Sequence, residues 1–402
     1  MKKFLALSVL VLGALLVAAC NVGGGSSSDA PSNVKVVPGD GGVTISWTME
    51  SGVEYWVFSA AASSISTSNW TTLPQARVIR NAVSPQIITG LTNGTTYSFT
   101  VNGRKDGGPG GDGSPSISAV PRLSGLAWTP GVPLASNNLK GIGFVALAYP
   151  GLFVTVGAGG TAFASPDAIT WTTVSSGVTT ELNGVAYGGG KFVAVGAGGA
   201  VINSTDAITW TTIASGTTND LNAIAAGNSG LVAVGANGTI IRSPDGGTTW
   251  ATQNSGTTRH LYGVSFANFQ YIAVGAGGTL LTSADGATWT AATTPTVETL
   301  KSVAYSAVNL LYVAVGTAGA MIGSPDAITW TAIPPVTVNQ LNSISVGNQF
   351  TVVGDNGTIV TSTDGVTWQI VASGTTSHLN AVLFGLVGYA AVGQGGVNLS
   401  SF

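Results

Sequence analysis

One short phrase recurs six times in the last two-thirds of this 402-residue chain. It reads Ser-x-Asp-x-x-(x)-Thr-Trp and runs from Ser165 to Trp171, Ser204 to Trp210, Ser243 to Trp250, Ser283 to Trp289, Ser324 to Trp330 and Ser362 to Trp368. The tryptophans recur every 38 to 41 residues. A fixed period near 40 with strand-like content describes repeated four-stranded units that bury their apolar faces against one another.

Each repeat opens on a leucine-led strand, at Leu139, Leu182, Leu221, Leu261, Leu300, Leu341 and Leu379. A second strand ends in Val-Gly-x-x-Gly, whose first glycines are Gly157, Gly196, Gly235, Gly275, Gly316, Gly354 and Gly393. The residues after that glycine make a tight hairpin, where positive φ favours Gly or Asn. A third strand leads into the aspartate phrase, and a fourth carries the tryptophan. There are seven leucine strands and seven hairpins but only six aspartate phrases, and the last repeat stops at Ser400-Ser401-Phe402. A strand with the right tryptophan, Leu126-Ala127-Trp128, stands 43 residues before Trp171. Open strand edges invite aggregation. The expected fold is therefore all-β: a seven-bladed β-propeller over 123–402, sealed by pairing the Trp128 strand with the C-terminal blade.

The N-terminus reads as a targeting segment. Lys2 and Lys3 precede an apolar stretch from Phe4 to Leu16 and a small-residue box, Val17-Ala18-Ala19-Cys20. This resembles the bacterial lipoprotein signal, which implies cleavage after residue 19 and acylation of Cys20. Each buried acyl methylene contributes about 0.8 kcal/mol, so two or three chains hold a protein on a bilayer. Asn21, in place of an aspartate, points to the outer membrane, facing the periplasm or the surface. Residues 20–30 then form the lipidated cysteine and a flexible linker. Cys20 is the only cysteine, so the mature chain has no disulfide.

Residues 31–122 read as a separate β-sandwich. Val43 to Trp47 alternates apolar and polar residues, Tyr55 to Phe58 is a second strand, and Leu91 to Val101 holds an Asn93-Gly94 turn followed by Tyr97 and an alternating strand. Together with Trp47, this segment resembles a fibronectin type III domain, which implies that the Tyr97 phenol tethers the loop before its strand.

The aspartate phrase resembles the Asp-box, or BNR repeat, of sialidase-like propellers. The resemblance implies that Asp167, Asp206, Asp245, Asp285, Asp326 and Asp364 are structural and accept backbone N–H bonds in their turns. Sialidases also need three arginines and a tyrosine–glutamate pair. Beyond Arg122 the repeats carry only Arg242 and Arg259, and only Ser243 to Trp250 has the full box spacing, so sialidase activity is rejected. The shortened boxes and the glycine hairpins look more like the photosystem II stability/assembly factor-like propellers of bacteria, a resemblance that covers 123–402 and implies a protein-binding or scaffolding role.

Charged residues are 7% of the chain and the net charge is −3, with no basic stripe, which excludes nucleic acid as a partner. No cofactor is implied. His260 and His378 lie three repeats apart, too far to share a metal ion without further ligands.

Candidate site residues emerge from comparing the repeats. The hairpin and the box barely change, whereas the residue before the leading leucine varies: Asn138, Glu181, Asp220, His260, Thr299, Gln340 and His378. The residue after it varies as well: Lys140, Asn183, Asn222, Tyr262, Lys301, Asn342 and Asn380. Arg259 and Glu298 add charge nearby, while Lys191, Arg242 and Asp355 lie elsewhere in the repeat. These positions fall where one blade feeds the innermost strand of the next, a ring around a central channel. The expected contact surface is Asn138, Lys140, Glu181, Asp220, Arg259, His260, Tyr262, Lys301, Gln340 and His378. The expected function is a lipid-anchored, non-catalytic envelope scaffold that holds a protein partner on this rim. The alternative is a carbohydrate-binding or glycoside-hydrolysing propeller, in which Glu181 and Asp220, if about 6.5–9.5 Å apart, serve as acid and base for inverting hydrolysis.

Overall fold

The computed structural model describes residues 25–146 and 151–402. The targeting segment, Cys20 and the start of the linker lie outside the described residues. Among the described residues, regular structure consists of strands and single 3-10 turns.

Two sheets form the N-terminal part. One holds Lys35–Gly39, Gly42–Ser46 and Gln86–Thr89; the other holds Arg77–Ala82, Val53–Ala60, Tyr97–Lys105 and Ile117–Ala119. Alternation sends Val43, Ile45 and Trp47 from one side, and Tyr55, Val57, Phe99 and Val101 from the other, into one buried cluster. Each such side chain contributes about 1.5–3 kcal/mol of burial. The Tyr97 hydroxyl accepts the Thr92 N–H at 3.2 Å and donates to Gln75 Oε1 at 2.7 Å, tying down the loop before its strand. The end of the linker is not free. Ser27 bridges Arg104, and the Lys105 N–H donates to the Ser26 carbonyl at 2.7 Å. The reason is an edge: Ile117–Ala119 pairs only with Tyr97–Phe99, leaving the rest of that long strand open to another backbone.

Seven four-stranded antiparallel sheets follow, in a propeller-like arrangement. The first holds Leu139–Val145, Leu152–Gly157, Thr161–Ser165 and Thr172–Ser175. Strand order equals chain order in the first six. Second strands are buried on both faces, which explains their unbroken apolar runs. Val193 and Val195 pack against Leu221, Ile224 and Ala233 of the next sheet. Leu139, Ile142 and Phe153 of the first sheet pack against Ala381, Ala390 and Val392 of the seventh.

The seventh sheet draws on both ends of this region. Leu379–Phe384, Tyr389–Gly393 and Asn398–Ser401 are joined by Thr129–Pro130, with Ser400 opposite Thr129 and Leu399 opposite Pro130. The paired residues are thus the two after Trp128, not Leu126 to Trp128. Tryptophan does not lie in the fourth strand of any sheet. It follows the turn, and in four of the six its indole N–H donates to the carbonyl three residues back: Trp171 to Ala168, Trp210 to Ala207, Trp289 to Gly286 and Trp368 to Gly365, each at 3.2 Å. Trp128 does the same to Gly125 at 3.0 Å.

That match reveals a seventh turn assembled from two distant segments. In three of the other sheets a serine ending the third strand accepts an N–H from the residue after the aspartate, Ser283 from Gly286, Ser324 from Ala327 and Ser362 from Gly365, each at 2.8 Å. In the seventh, Ser401 accepts the Gly125 N–H at 2.7 Å. Ser124 then stands where the other turns have aspartate, and Arg122 donates to the Phe402 carbonyl at 3.1 Å.

The connections fall on two sides. The turns after Val-Gly and the links into the next sheet share one side, where the Gly198 N–H meets Asp220. The remaining hairpins and the aspartate turns share the other, where Ser229 donates to the Asp285 carbonyl at 3.1 Å. The N-terminal sheets sit on this second side: the Asp40 N–H donates to the Val387 carbonyl at 2.7 Å, and Asn348 donates to Asp40 Oδ1 at 2.6 Å. Gly39 permits that approach, because a Cβ there would stand 2.3 Å from the Val387 carbonyl oxygen. The side with the links is left uncovered.

Candidate functional site

The residue after each leading leucine is the extra residue of a β-bulge. Pairing steps from Leu182 to Gly184 against Gly196 and Val195, and the same slip recurs in all seven sheets. A bulge re-aims the extra side chain. Lys140, Asn183, Asn222, Tyr262, Lys301, Asn342 and Asn380 consequently border one opening of about 210 Å³. Beneath it lies a cavity of about 410 Å³ between the first strands. The first glycine of Val-Gly-x-x-Gly serves this geometry. Its φ of −168° is ordinary extended backbone, but a Cβ on Gly196 would lie 1.9 Å from the Glu181 carbonyl oxygen. The second glycine is the one with positive φ, 72° at Gly199.

Four of the seven residues form an amide belt. Asn183, Asn222, Asn342 and Asn380 each donate to the carbonyl of the next sheet's leading leucine, at 2.9, 2.8, 2.9 and 2.7 Å. Three positions break the belt. Lys140 pairs with Glu181. Lys301 places its ammonium 3.8 Å from the centre of the Tyr262 ring. Burial lowers the Lys301 pKa, and the charge of Asp355 opposes that shift.

The residue before the leucine has a structural task that sequence comparison missed. In three sheets its side chain accepts an N–H from the turn of the preceding sheet: Asn138 from Gly395 at 3.0 Å, Asp220 from Gly198 at 2.7 Å and His260 from Asn237 at 3.4 Å. The available signal was chemical, not positional: all seven residue types carry an acceptor atom. Gln340 instead donates to Asn342 Oδ1 at 2.7 Å. Arg259 donates to the Gly277 carbonyl at 2.8 Å. Asp355, read from the sequence as lying elsewhere, belongs to the rim. Its carboxylate is 3.0 Å from His378 Nδ1 and accepts from Asn342 at 2.9 Å. The turn that carries it projects on the same side as the sheet-to-sheet links, which repeat position alone does not reveal. Lys191 and Arg242 lie on the opposite side, bonded to Thr248 Oγ1 and the Ser229 carbonyl.

Glu181 and Asp220 are each engaged, one by the Lys140 ammonium and the other by a backbone N–H. Among the described residues no group of three His, Cys, Asp or Glu side chains is placed to hold a metal ion.

The six phrase aspartates all lie on the far side and hold turns. Asp206 accepts the N–H groups of Thr209 and Ile208 at 2.8 Å, and these bonds hold its pKa down at about 2. The equivalent N–H groups, of Thr288 and Ala287 and of Thr367 and Val366, bring Asp285 and Asp364 to about 2. Asp326 is lowered by Thr329 and Ile328, and Asp245 falls well below the carboxylate range through the Thr249 hydroxyl and N–H. Asp167 accepts from Thr170 and Ile169 at 2.7 and 2.9 Å.

The family described as "DUF6242 beta propeller domain" matches residues 151–262. No curated protein matches the chain. Among solved structures, "YCF48 bound to D1 peptide" is 19% identical, with a TM-score of 0.57, covering 68% of this chain and 94% of its own. YCF48 from Cyanidioschyzon merolae is 18% identical, with a TM-score of 0.57, covering 68% and 98%. The WD40 β-propeller domain of Doa1 is 10% identical, with a TM-score of 0.55, covering 69% and 97%. These similarities show a β-propeller.

Proposed function

We propose that this chain is a lipid-anchored envelope scaffold that holds a protein partner on the rim of a seven-bladed Asp-box propeller. In this reading Cys20 carries the acyl anchor, residues 31–122 are a fibronectin type III spacer, and 123–402 are the propeller. The observation that carries the reading is the distribution of polar side chains. The turns that build the sheets repeat, whereas the channel mouth breaks its repeated asparagines at Lys140, Tyr262 and Lys301 and faces away from the N-terminal sheets. A spacer on the opposite side leaves this rim open to a partner. The YCF48 structure with a bound peptide supports a polypeptide as the occupant. The hydrolytic alternative has less support, because Glu181 and Asp220 both have fixed partners.

The test is affinity capture from membranes with the full-length protein and with a variant carrying Glu181→Ala, Asp220→Ala, Arg259→Ala and His260→Ala. Recovery of a specific partner is expected to fall at least about tenfold in the variant, as when interface anchors are truncated. Equal recovery by both, with both folded by circular dichroism, removes the rim assignment.

A further inference from the structure

We propose that the channel mouth binds a carboxylate carried by a peptide, with the Lys301 ammonium as the group that meets its charge. This deepens the protein-binding reading above and rests on it. The argument begins with the charges around the opening. Lys140 is neutralised by Glu181, His378 lies against Asp355, and Arg259 is spent on a backbone carbonyl. Among the described residues Lys301 has neither a carboxylate within ion-pair distance nor a hydrogen bond to the protein. Its contact is with the face of Tyr262, which attracts a cation through the ring quadrupole but takes none of its three N–H donors.

The surroundings of Lys301 favour an anion over water alone. The side chain is half-buried, and a cation at a constricted opening concentrates counter-charge. Asp355, the nearby acid, is already shared by His378 and Asn342. The belt offers neutral donors beside the cation: Asn183, Asn222 and Asn380 each use one amide N–H on a leucine carbonyl and keep the other. Among the residues that line the opening itself, Lys301 is the cation without a carboxylate at ion-pair distance, and with the neutral amides beside it the site matches a monoanion. The opening of about 210 Å³ admits a carboxylate and the few atoms that carry it. With the cavity of about 410 Å³ beneath it the space would also admit a small molecule, so the choice of a peptide as the carrier rests on the protein-binding reading and on the peptide bound to YCF48.

The probes are fluorescein-labelled Gly-Gly-Glu-Gly-amide and its glutamine counterpart, titrated by polarisation against the full chain, Lys301→Met, Lys301→Arg and Lys191→Met. The glutamate peptide is expected to bind at least about tenfold more tightly than the glutamine peptide, a gap of about 1.4 kcal/mol. Lys301→Met should abolish that preference, while Lys301→Arg and Lys191→Met, the latter on the opposite side, should retain it. Free glutarate should compete at least about tenfold more weakly than the unlabelled peptide. Equal binding of the two peptides, no binding of either, or a preference that survives Lys301→Met overturns the carboxylate site. Glutarate competing as well as the peptide overturns the peptide as the source. A preference lost in Lys301→Arg as well, with the variant folded by circular dichroism, overturns charge as the basis of the recognition. Failure here is separable from failure of the scaffold reading, because rim-dependent capture of a protein partner does not require Lys301 to select for charge.

Discussion

Six of the sheet-ending turns are made from adjacent residues and lie in solvent; the seventh is made from two chain segments and lies under the N-terminal sheets. The same hydrogen bonds appear in both. A serine at the end of the third strand holds the turn, and in the seventh turn and four of the six an indole N–H closes it. The aspartate is what differs. It is present where its charge reaches water and replaced by Ser124, fully buried, where it would not. The junction already buries one carboxylate, that of Asp40, which is 4% exposed and held by Asn93 and Asn348. The turn's geometry is therefore set by hydroxyl, indole and backbone groups, and the carboxylate strengthens it only where hydration permits.

Substituting Ser124→Asp challenges this contrast most severely. An unpaired buried charge costs about 3–5 kcal/mol, so urea unfolding at neutral pH should show a loss of that order. The loss should shrink below about pH 4, where the acid is neutral. An unchanged midpoint at neutral pH contradicts the hydration argument.

Trp128→Ala is expected to remove about 3–5 kcal/mol, since the ring is 9% exposed and packs against Tyr389 at 6.2 Å. Trp210→Ala, at a half-buried site in a continuous sheet, should cost less in the same assay. Equal losses would mean that the two-segment sheet is no more dependent on its tryptophan than the others.

Tyr389→Phe sharpens the comparison further. Its hydroxyl donates to the Gln349 carbonyl at 2.5 Å and accepts the Gly347 N–H at 2.8 Å, and its loss leaves buried groups unpaired at a cost of about 1–3 kcal/mol. Burial pushes its pKa from 10.0 up to about 12. Because the folded state holds the proton more tightly, this contribution is complete below pH 10 and lost as pH rises through about 12. Alkaline unfolding should begin later in the phenylalanine variant, relative to its own neutral stability.

Three of the exposed turns respond to acid in the opposite sense. Asp206, Asp285 and Asp364 drop from 3.8 to about 2, so their contribution is present above pH 3.8 and lost as pH falls through about 2. Replacing any one with asparagine should flatten acid unfolding in that window, which circular dichroism against pH would read out.

The smallest effect is expected at Ala318, which holds φ of 53° where sibling turns have Gly or Asn. Ala318→Gly should raise stability by about 0.5–1 kcal/mol, the relief of left-handed strain less the flexibility of glycine. A lower melting temperature in calorimetry would refute that.

Much of the fold was legible because each repeat declares its own turns. The period, the leucines and the glycine hairpins are local signals, and the structure places strands and turns where they stand. The tryptophan was misplaced by one element, since a residue that closes a turn and one that opens a strand look alike in sequence. The rim was legible in part. Varying residues mark the mouth, but variation alone did not separate the acceptors that staple turns, such as Asn138 and Asp220, from the unpaired Lys301. Asp355 was missed because its turn and the sheet-to-sheet links meet only in space.

The sequence by itself determined the repeating unit, because hydrogen bonding and chain reversal over a few residues depend on neighbours in the chain. Tertiary structure decided the rest. It joined Ser401 to Gly125, brought Asp355 to His378, and left Lys301 on Tyr262 without a counter-charge. Each of these depends on which distant groups share a poorly hydrated space, and that is fixed only once the sheets have packed.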